Sequence, residues 1–140
     1  MILGTGVDIV DVVGFETQLE DPASHFVEET FTIRERKTAS HRPGQRPGRH
    51  LAVRFAAKEA FIKAWSCALW GQPPVLQHVM MCEIEVVSDS FGRPGLQLHG
   101  QVAEALQPLG PLRIHLSLSH DGDMAVAFVV LEKVESPSSN

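Results

Sequence analysis

The sequence predicts an α+β fold: a small single domain whose largely antiparallel sheet packs on one long central helix. Three observations carry that expectation. Residues 50–66 are alanine-rich, without Gly or Pro, and give the strongest helix signal in the chain. Residues 112–119 alternate as a half-buried strand does, with Leu112, Ile114, Leu116 and Leu118 on one face and Arg113, His115, Ser117 and Ser119 on the other. Asp121-Gly122 then marks a hairpin turn into a second strand at 124–131.

Residues 2–10 are short, apolar and β-branched and read as a buried strand. Asp8 is its odd member: a carboxylate there must be paired, protonated or bound to a cation, unless it lies at the strand end and caps the next segment. Residues 11–39 are helical in pieces, broken near Asp21-Pro22, and Thr32 with Glu35 fits a capping box. Residues 40–49 are rich in Pro and Gly and read as a mobile loop. The helix at 50–66 is apolar nearly all round, which predicts a central, buried helix and makes its polar residues informative. Arg54 and Lys58 lie at i,i+4, as do Glu59 and Lys63. An ordinary helix pair of the second kind contributes about 0.2–0.5 kcal/mol. After a loop through Gly71–Pro74 come a half-exposed strand at 83–88, a turn at 91–95, a strand at 96–99 and a short helix at 101–107. The strand at 124–131 is continuously apolar and reads as buried on both faces. Residues 1–133 are expected to form one domain and residues 134–140 a frayed tail.

Composition narrows the class. A chain of 140 residues with 44% hydrophobic residues can bury one core and is not disordered. No apolar run approaches the ~20 residues that span a bilayer, so no membrane association is expected. No basic n-region precedes an apolar run, so no signal peptide is expected. Cys67 and Cys82 stand outside any zinc or redox spacing, which argues against a disulfide framework and for the cytoplasm. Net charge is -5 but unevenly spread. The first 29 residues carry seven acids and no Lys or Arg, whereas Arg34–Lys63 holds nine of the twelve basic residues against Glu35 and Glu59 alone. Such a run is either a solvated face or a site for a polyanion, a phosphorylated small molecule or nucleic acid. The run lacks interleaved aromatics for base stacking, which argues against nucleic acid.

Three segments together point further: Gly4-x-Gly6-x-Asp8-Ile9-Val10, Arg54-Phe55-Ala56-Ala57-Lys58-Glu59-Ala60-Phe61-x-Lys63-Ala64, and Leu116-Ser117-Leu118-Ser119-His120-Asp121. In order and spacing they resemble the holo-acyl-carrier-protein synthases, the small bacterial class of 4′-phosphopantetheinyl transferases; Gly92-Arg93-Pro94 looks like a turn of the same family. The resemblance implies transfer of the 4′-phosphopantetheine arm of coenzyme A to a serine of an apo acyl carrier protein, or of a carrier domain of a fatty acid synthase. The other product would be adenosine 3′,5′-bisphosphate, and the setting fatty acid biosynthesis. It implies Asp8 and Glu59 as ligands of Mg²⁺, Glu59 as the base toward the serine, and Lys63 at the leaving phosphate. Arg54, Lys63, Gly92, Arg93, Pro94 and His120 would bind coenzyme A, at a site shared between subunits of a homotrimer. The chemistry is consistent, since Mg²⁺ usually takes one or two carboxylates with substrate phosphates and water. Taken alone, His120 reads more commonly as a loop-end histidine with no ligand, and only the resemblance raises it to a ligand contact. Two departures from the family stand out. Ala64-Trp65-Ser66-Cys67-Ala68 replaces the usual glycine-rich turn, and the first helix lacks the basic residues that meet an acidic carrier. The basic stretch Arg34–Arg49 is expected to supply the carrier contact instead. The rival readings are a metal-dependent phosphohydrolase built on Asp8, Glu59 and His120, a nucleic-acid-binding module on Arg34–Lys63, and an inactive scaffold subunit.

Overall fold

A computed structural model describes residues 1–41, 44 and 46–135. Its strands are β1 (Ile2–Asp11), β2 (Ile84–Ser88), β3 (Pro94–Leu98), β4 (Leu112–Asp121) and β5 (Met124–Lys133). Its α-helices are α1 (Val12–Leu19), α2 (Phe26–Thr30), α3 (Ile33–Ser40), α4 (Pro47–Ala68) and α5 (Gly100–Leu106). All strand pairing is antiparallel, in two sheets ordered β1-β5-β4 and β2-β3. The expected α+β class, with an antiparallel sheet on a long helix, is what the chain adopts.

The central helix is longer than the alanine-rich run suggests. It starts at Pro47, the first helical residue, where the missing N–H costs nothing and the fixed φ favours a helical turn. The expected loop at 40–49 is therefore shorter: Ser40 still belongs to α3, and Pro47, Gly48 and Arg49 form the first turn of α4. Within that stretch, Arg42, Pro43 and Gln45 lie outside the described residues. At the other end α4 runs unbroken through Ala64–Ala68. The capping box opening α3 is formed: Glu35 N donates to Thr32 Oγ1, and Thr32 N donates to Glu35 Oε1 at 2.9 Å.

Two strands are less buried than their composition suggests. Among the described residues, α4 covers one face of the three-stranded sheet and nothing covers the other, so β1 and β5 alternate. Ala125, Ala127, Val129 and Leu131 are buried on the covered face, the last three in one core cluster with Ala56, Ala60 and Phe61. Val7, Ile9, Met124 and Phe128 stay exposed; Val7 is directly opposite Phe128. Conversely, β2 is more buried than expected. Its Glu85 is 4% exposed and held by Thr32 Oγ1, which donates to Oε2 at 2.6 Å, and by His99 Nε2 at 3.1 Å. A second core cluster joins Phe15 and Phe31 to Phe26 and Phe55 by ring contacts, fixing α1 and α2 against the middle of α4.

Two features set the rotation of α4. Gly4 and Gly6 face it at backbone contact: a Cβ on Gly6 would overlap the carbonyl oxygen of Ala60 and lie 2.6 Å from Ala64 N, and one on Gly4 would lie 2.9 Å from Ala68 N. The glycines are thus required for close approach of strand and helix. On another side of α4, Lys58 is fully buried. It donates to Glu35 Oε1 at 2.8 Å, to Met81 O at 3.1 Å and to the Ile84 carbonyl. Burial pulls the Lys58 ammonium down from its ordinary value, and the facing Glu35 carboxylate opposes that pull.

Candidate active site

The close packing of β1 on α4 creates the first half of the site. Strand alternation puts Asp8 on the same face as Gly4 and Gly6, next to the helical turn carrying Glu59 and Lys63. Lys63 reaches across: its Nζ donates to Asp8 Oδ1 at 2.9 Å and to the Val7 carbonyl at 3.1 Å. The close ion pair of Lys63 is thus with Asp8 on the strand rather than with Glu59 along the helix. Asp8 is largely covered, at 15% side-chain exposure, while Lys63 is open to solvent at 53%. Burial pushes the Glu59 carboxyl up, the neighbouring Asp8 charge pushes it further, and Lys63 offsets part of the rise. A carboxyl raised above its ordinary range beside a second carboxylate has the chemistry of a general base, and such a pair can seat a cation.

The donor set fits Mg²⁺. Among the described residues no cluster of three or more His, Cys, Asp or Glu gathers, so Asp8 and Glu59 are a two-carboxylate set. A hard ion that completes its shell with phosphate oxygens and water needs no more. Burial and then the Asp8 charge raise Glu59, and the Lys63 ammonium is already drawn to Asp8 and the Val7 carbonyl, so added positive charge is favoured here.

The second half lies across the sheet. A cleft of about 700 Å³ is lined by Arg46, Arg49, His50 and Arg54 from the start of α4, Gly92 and Pro94 from the β2–β3 turn, and His120 and Asp123 from the β4–β5 hairpin. Arg54 is 7% exposed and donates from Nη1 to the His50 carbonyl at 3.4 Å. Arg49 donates from Nη2 to His120 Nδ1. Arg46 reaches Glu16 at 3.2 Å. Three guanidinium groups against one lining acid give the cleft the charge to hold an anion.

Four residues expected to bind the ligand, Arg54, Gly92, Pro94 and His120, therefore share one cleft. Arg93 does not line it. Its Nε donates to Asp89 Oδ2 at 2.8 Å and its guanidinium stacks 4.9 Å from the Phe91 ring, because Asp89 folds the turn back on itself by accepting from Phe91 N and Arg93 N. Asp8, Glu59 and Lys63 do not line the cleft either: Asp8 is on the edge strand β1, His120 on the opposite edge strand β4, with β5 between. Sequence reasoning placed Arg46 and Arg49 in the basic run, as part of a polyanion site or the carrier contact, but not among the coenzyme A ligands, and it missed His50. The signal was present, since 46, 49, 50, 53 and 54 repeat at helical spacing; Pro47 and Gly48 disguised it as loop.

Known proteins resemble this chain along nearly its whole length. Residues 4–129 match the sequence profile of the 4′-phosphopantetheinyl transferase superfamily. The chain is 46% identical over 131 residues to the holo-[acyl-carrier-protein] synthase of Mycobacterium tuberculosis, covering 94% of this chain and 97% of that one. It is 44% identical over 133 residues to the enzyme of the same name from Corynebacterium glutamicum, covering 93% and 98%. Among solved structures, the Chronobacterium ammoniagenes ACPS–CoA complex superposes with a TM-score of 0.86 at 47% identity, over 94% of this chain and 98% of that one. The holo-(acyl-carrier-protein) synthase of Bacillus anthracis in complex with CoA (3′,5′-ADP) does so at 0.71 and 35%, over 96% and 99%. The chain belongs to the 4′-phosphopantetheinyl transferase superfamily, and within it to the holo-[acyl-carrier-protein] synthase family.

Proposed function

We propose that the protein transfers the 4′-phosphopantetheine arm of coenzyme A to a serine of an apo acyl carrier protein or carrier domain, with Mg²⁺, in the cytoplasm and in the service of fatty acid biosynthesis. The observation that carries this reading is the pairing of a raised glutamate beside a second carboxylate with a separate cleft rich in guanidinium groups. The guanidinium cleft suits the nucleotide phosphates of coenzyme A, and relatives at 47% and 35% identity are described as bound to coenzyme A or its nucleotide. Asp8 and Glu59 would hold Mg²⁺, which when bound neutralises charge on the phosphates. Glu59 accepts the proton of the carrier serine as its Oγ bonds to the phosphorus next to the pantetheine. The bond from that phosphorus to the adenosine-bearing oxygen breaks, and Lys63, one turn along the helix, stabilises or protonates the leaving phosphate. Among the described residues no helix is long and apolar enough to cross a membrane.

A homotrimer completes this reading. Within one chain the carboxylate half and the cleft half stand on opposite edges of a three-stranded sheet, and the sheet's outer face leaves Val7, Ile9 and Phe128 uncovered. An assembly that buries this face and sets one copy's carboxylates beside its neighbour's cleft accounts for both facts. Two experiments test the proposal. Chromatography should show adenosine 3′,5′-bisphosphate released from coenzyme A only when an apo carrier and Mg²⁺ are both present; release without a carrier would favour the phosphohydrolase. Co-refolding Asp8→Ala chains with Arg54→Gln chains, assayed at coenzyme A concentrations too low to fill the Arg54→Gln site, should restore activity if the site is shared. Mixtures that stay inactive, despite forming mixed oligomers, would place both halves in one chain.

A further inference from the structure

We infer that Arg49 is a positioning residue that fixes His120 in its Nε2–H tautomer, so that the imidazole presents one aimed N–H donor to an anion in the basic cleft. An arginine side chain has only donors, and its Nη2 meets Nδ1 of His120. Nδ1 must then carry the lone pair, and the ring proton must sit on Nε2; the other tautomer would set two donors face to face. Both side chains are held where this happens. Arg49 belongs to the first turn of α4, begun by Pro47, and His120 lies at the end of β4, opposite Ala125 of β5. Both line the same cleft as Arg54, so the ring nitrogen left to meet a ligand is the one that carries the proton. An acceptor lone pair in that position would repel a phosphate oxygen. Arg49 thus contributes twice: its own positive charge in the cleft, and control of which His120 nitrogen can donate. The functional side rests on the proposed binding of the coenzyme A nucleotide; the tautomer itself does not.

The test is long-range nitrogen–proton NMR of the ring nitrogens in the intact protein, at a pH where imidazole is neutral. The chain has 7 histidines, so His120 is assigned from the signal lost in His120→Gln. The wild type should show His120 with a bare Nδ1 and a protonated Nε2. Arg49→Gln should show a mixture of the two tautomers, and Arg49→Lys, which keeps a donor, should recover the wild-type pattern at least in part. In parallel, calorimetry should show adenosine 3′,5′-bisphosphate bound roughly fivefold or more weakly by Arg49→Gln, the loss expected for about one hydrogen bond. A protonated Nδ1 in the wild type, or an unchanged single tautomer in Arg49→Gln, would overturn the inference even if the nucleotide binds. A wild type that binds no nucleotide, yet shows the expected ring pattern, would instead overturn the proposed function.

Discussion

Replacing Gly6 by alanine tests how a strand motif builds the carboxylate half of the candidate site. The new methyl would lie inside the Ala60 carbonyl oxygen and 2.6 Å from Ala64 N, both helix backbone atoms that no rotamer change can move. Restoring ordinary contact needs β1 and α4 to part by roughly 1 Å or more, against an interior packed like a crystal. Overpacking of this kind costs about 1–3 kcal/mol of stability. The same displacement separates Asp8, two residues along β1, from Glu59, the neighbour of Ala60. Misplacement by about 1 Å can cost ~10²-fold in rate, or about 2.7 kcal/mol of barrier. Gly6→Ala should therefore lower the urea midpoint and, at a temperature where it remains folded, reduce transfer about a hundredfold with little change in coenzyme A affinity. Gly95→Ala is the control, since a Cβ there meets nothing within 4 Å. A Gly6→Ala protein with wild-type stability and full activity would refute the argument that the two glycines exist for close approach.

Other perturbations probe the remaining parts. Glu35→Gln removes the carboxylate facing the buried Lys58 and should cost about 3–5 kcal/mol. Because the folded state then holds Lys58 below its unfolded value even more strongly, the loss should shrink as pH rises toward the ordinary lysine value of 10.5; chemical denaturation at neutral and alkaline pH reads this directly. Burial and Asp8 raise Glu59, so its ionisation takes stability away as pH rises from the ordinary value of 4.5 through the raised one; metal-free Glu59→Gln should melt higher than wild type above the raised value and equally only below 4.5. Arg54→Gln should weaken adenosine 3′,5′-bisphosphate binding by about 10- to 150-fold, the range for a lost charge-assisted bond, as judged by calorimetry. Reversing Arg34, Arg36 and Lys37 to Glu should raise the carrier KM several-fold at low salt and leave the coenzyme A KM unchanged. Arg34 is 68% exposed beside the 64%-exposed Ile33, and exposed charge of this kind acts on association rate and is screened by salt. An unchanged carrier KM would remove α3 from the docking surface.

Much of this was legible in the residues. The alanine-rich run, the 112–119 alternation and the Asp-Gly turn located the helix and hairpin because each is a local, periodic signal. Asp8, and separately the Glu59–Lys63 pair, stood out as charged residues among apolar neighbours, but only the family resemblance joined them into one group. Three things were not local. Whether β1 and β5 are covered on one face or two depends on the elements that pack against them, and α4 covers only one. The start of α4 was hidden because Pro and Gly break most elements but not a first turn, and with it Arg46 and Arg49 passed for loop. The side chain of Arg93 turned from the cleft because Asp89 and Phe91 capture it, a contact that no spacing announces. Of the basic stretch expected to meet the carrier, Arg46 and Arg49 line the cleft, which leaves Arg34, Arg36 and Lys37 as its described members; Arg42 lies outside the described residues.

The central claim is that the raised glutamate and the basic cleft serve one reaction, and mass spectrometry of an apo carrier protein incubated with this chain, coenzyme A and Mg²⁺ tests it most directly. The account predicts a mass gain of one phosphopantetheine on the carrier serine, lost when divalent ions are chelated and lost in Glu59→Gln with the fold intact. A carrier that stays unmodified while coenzyme A is consumed, or a transfer that proceeds undiminished in Glu59→Gln, would contradict it.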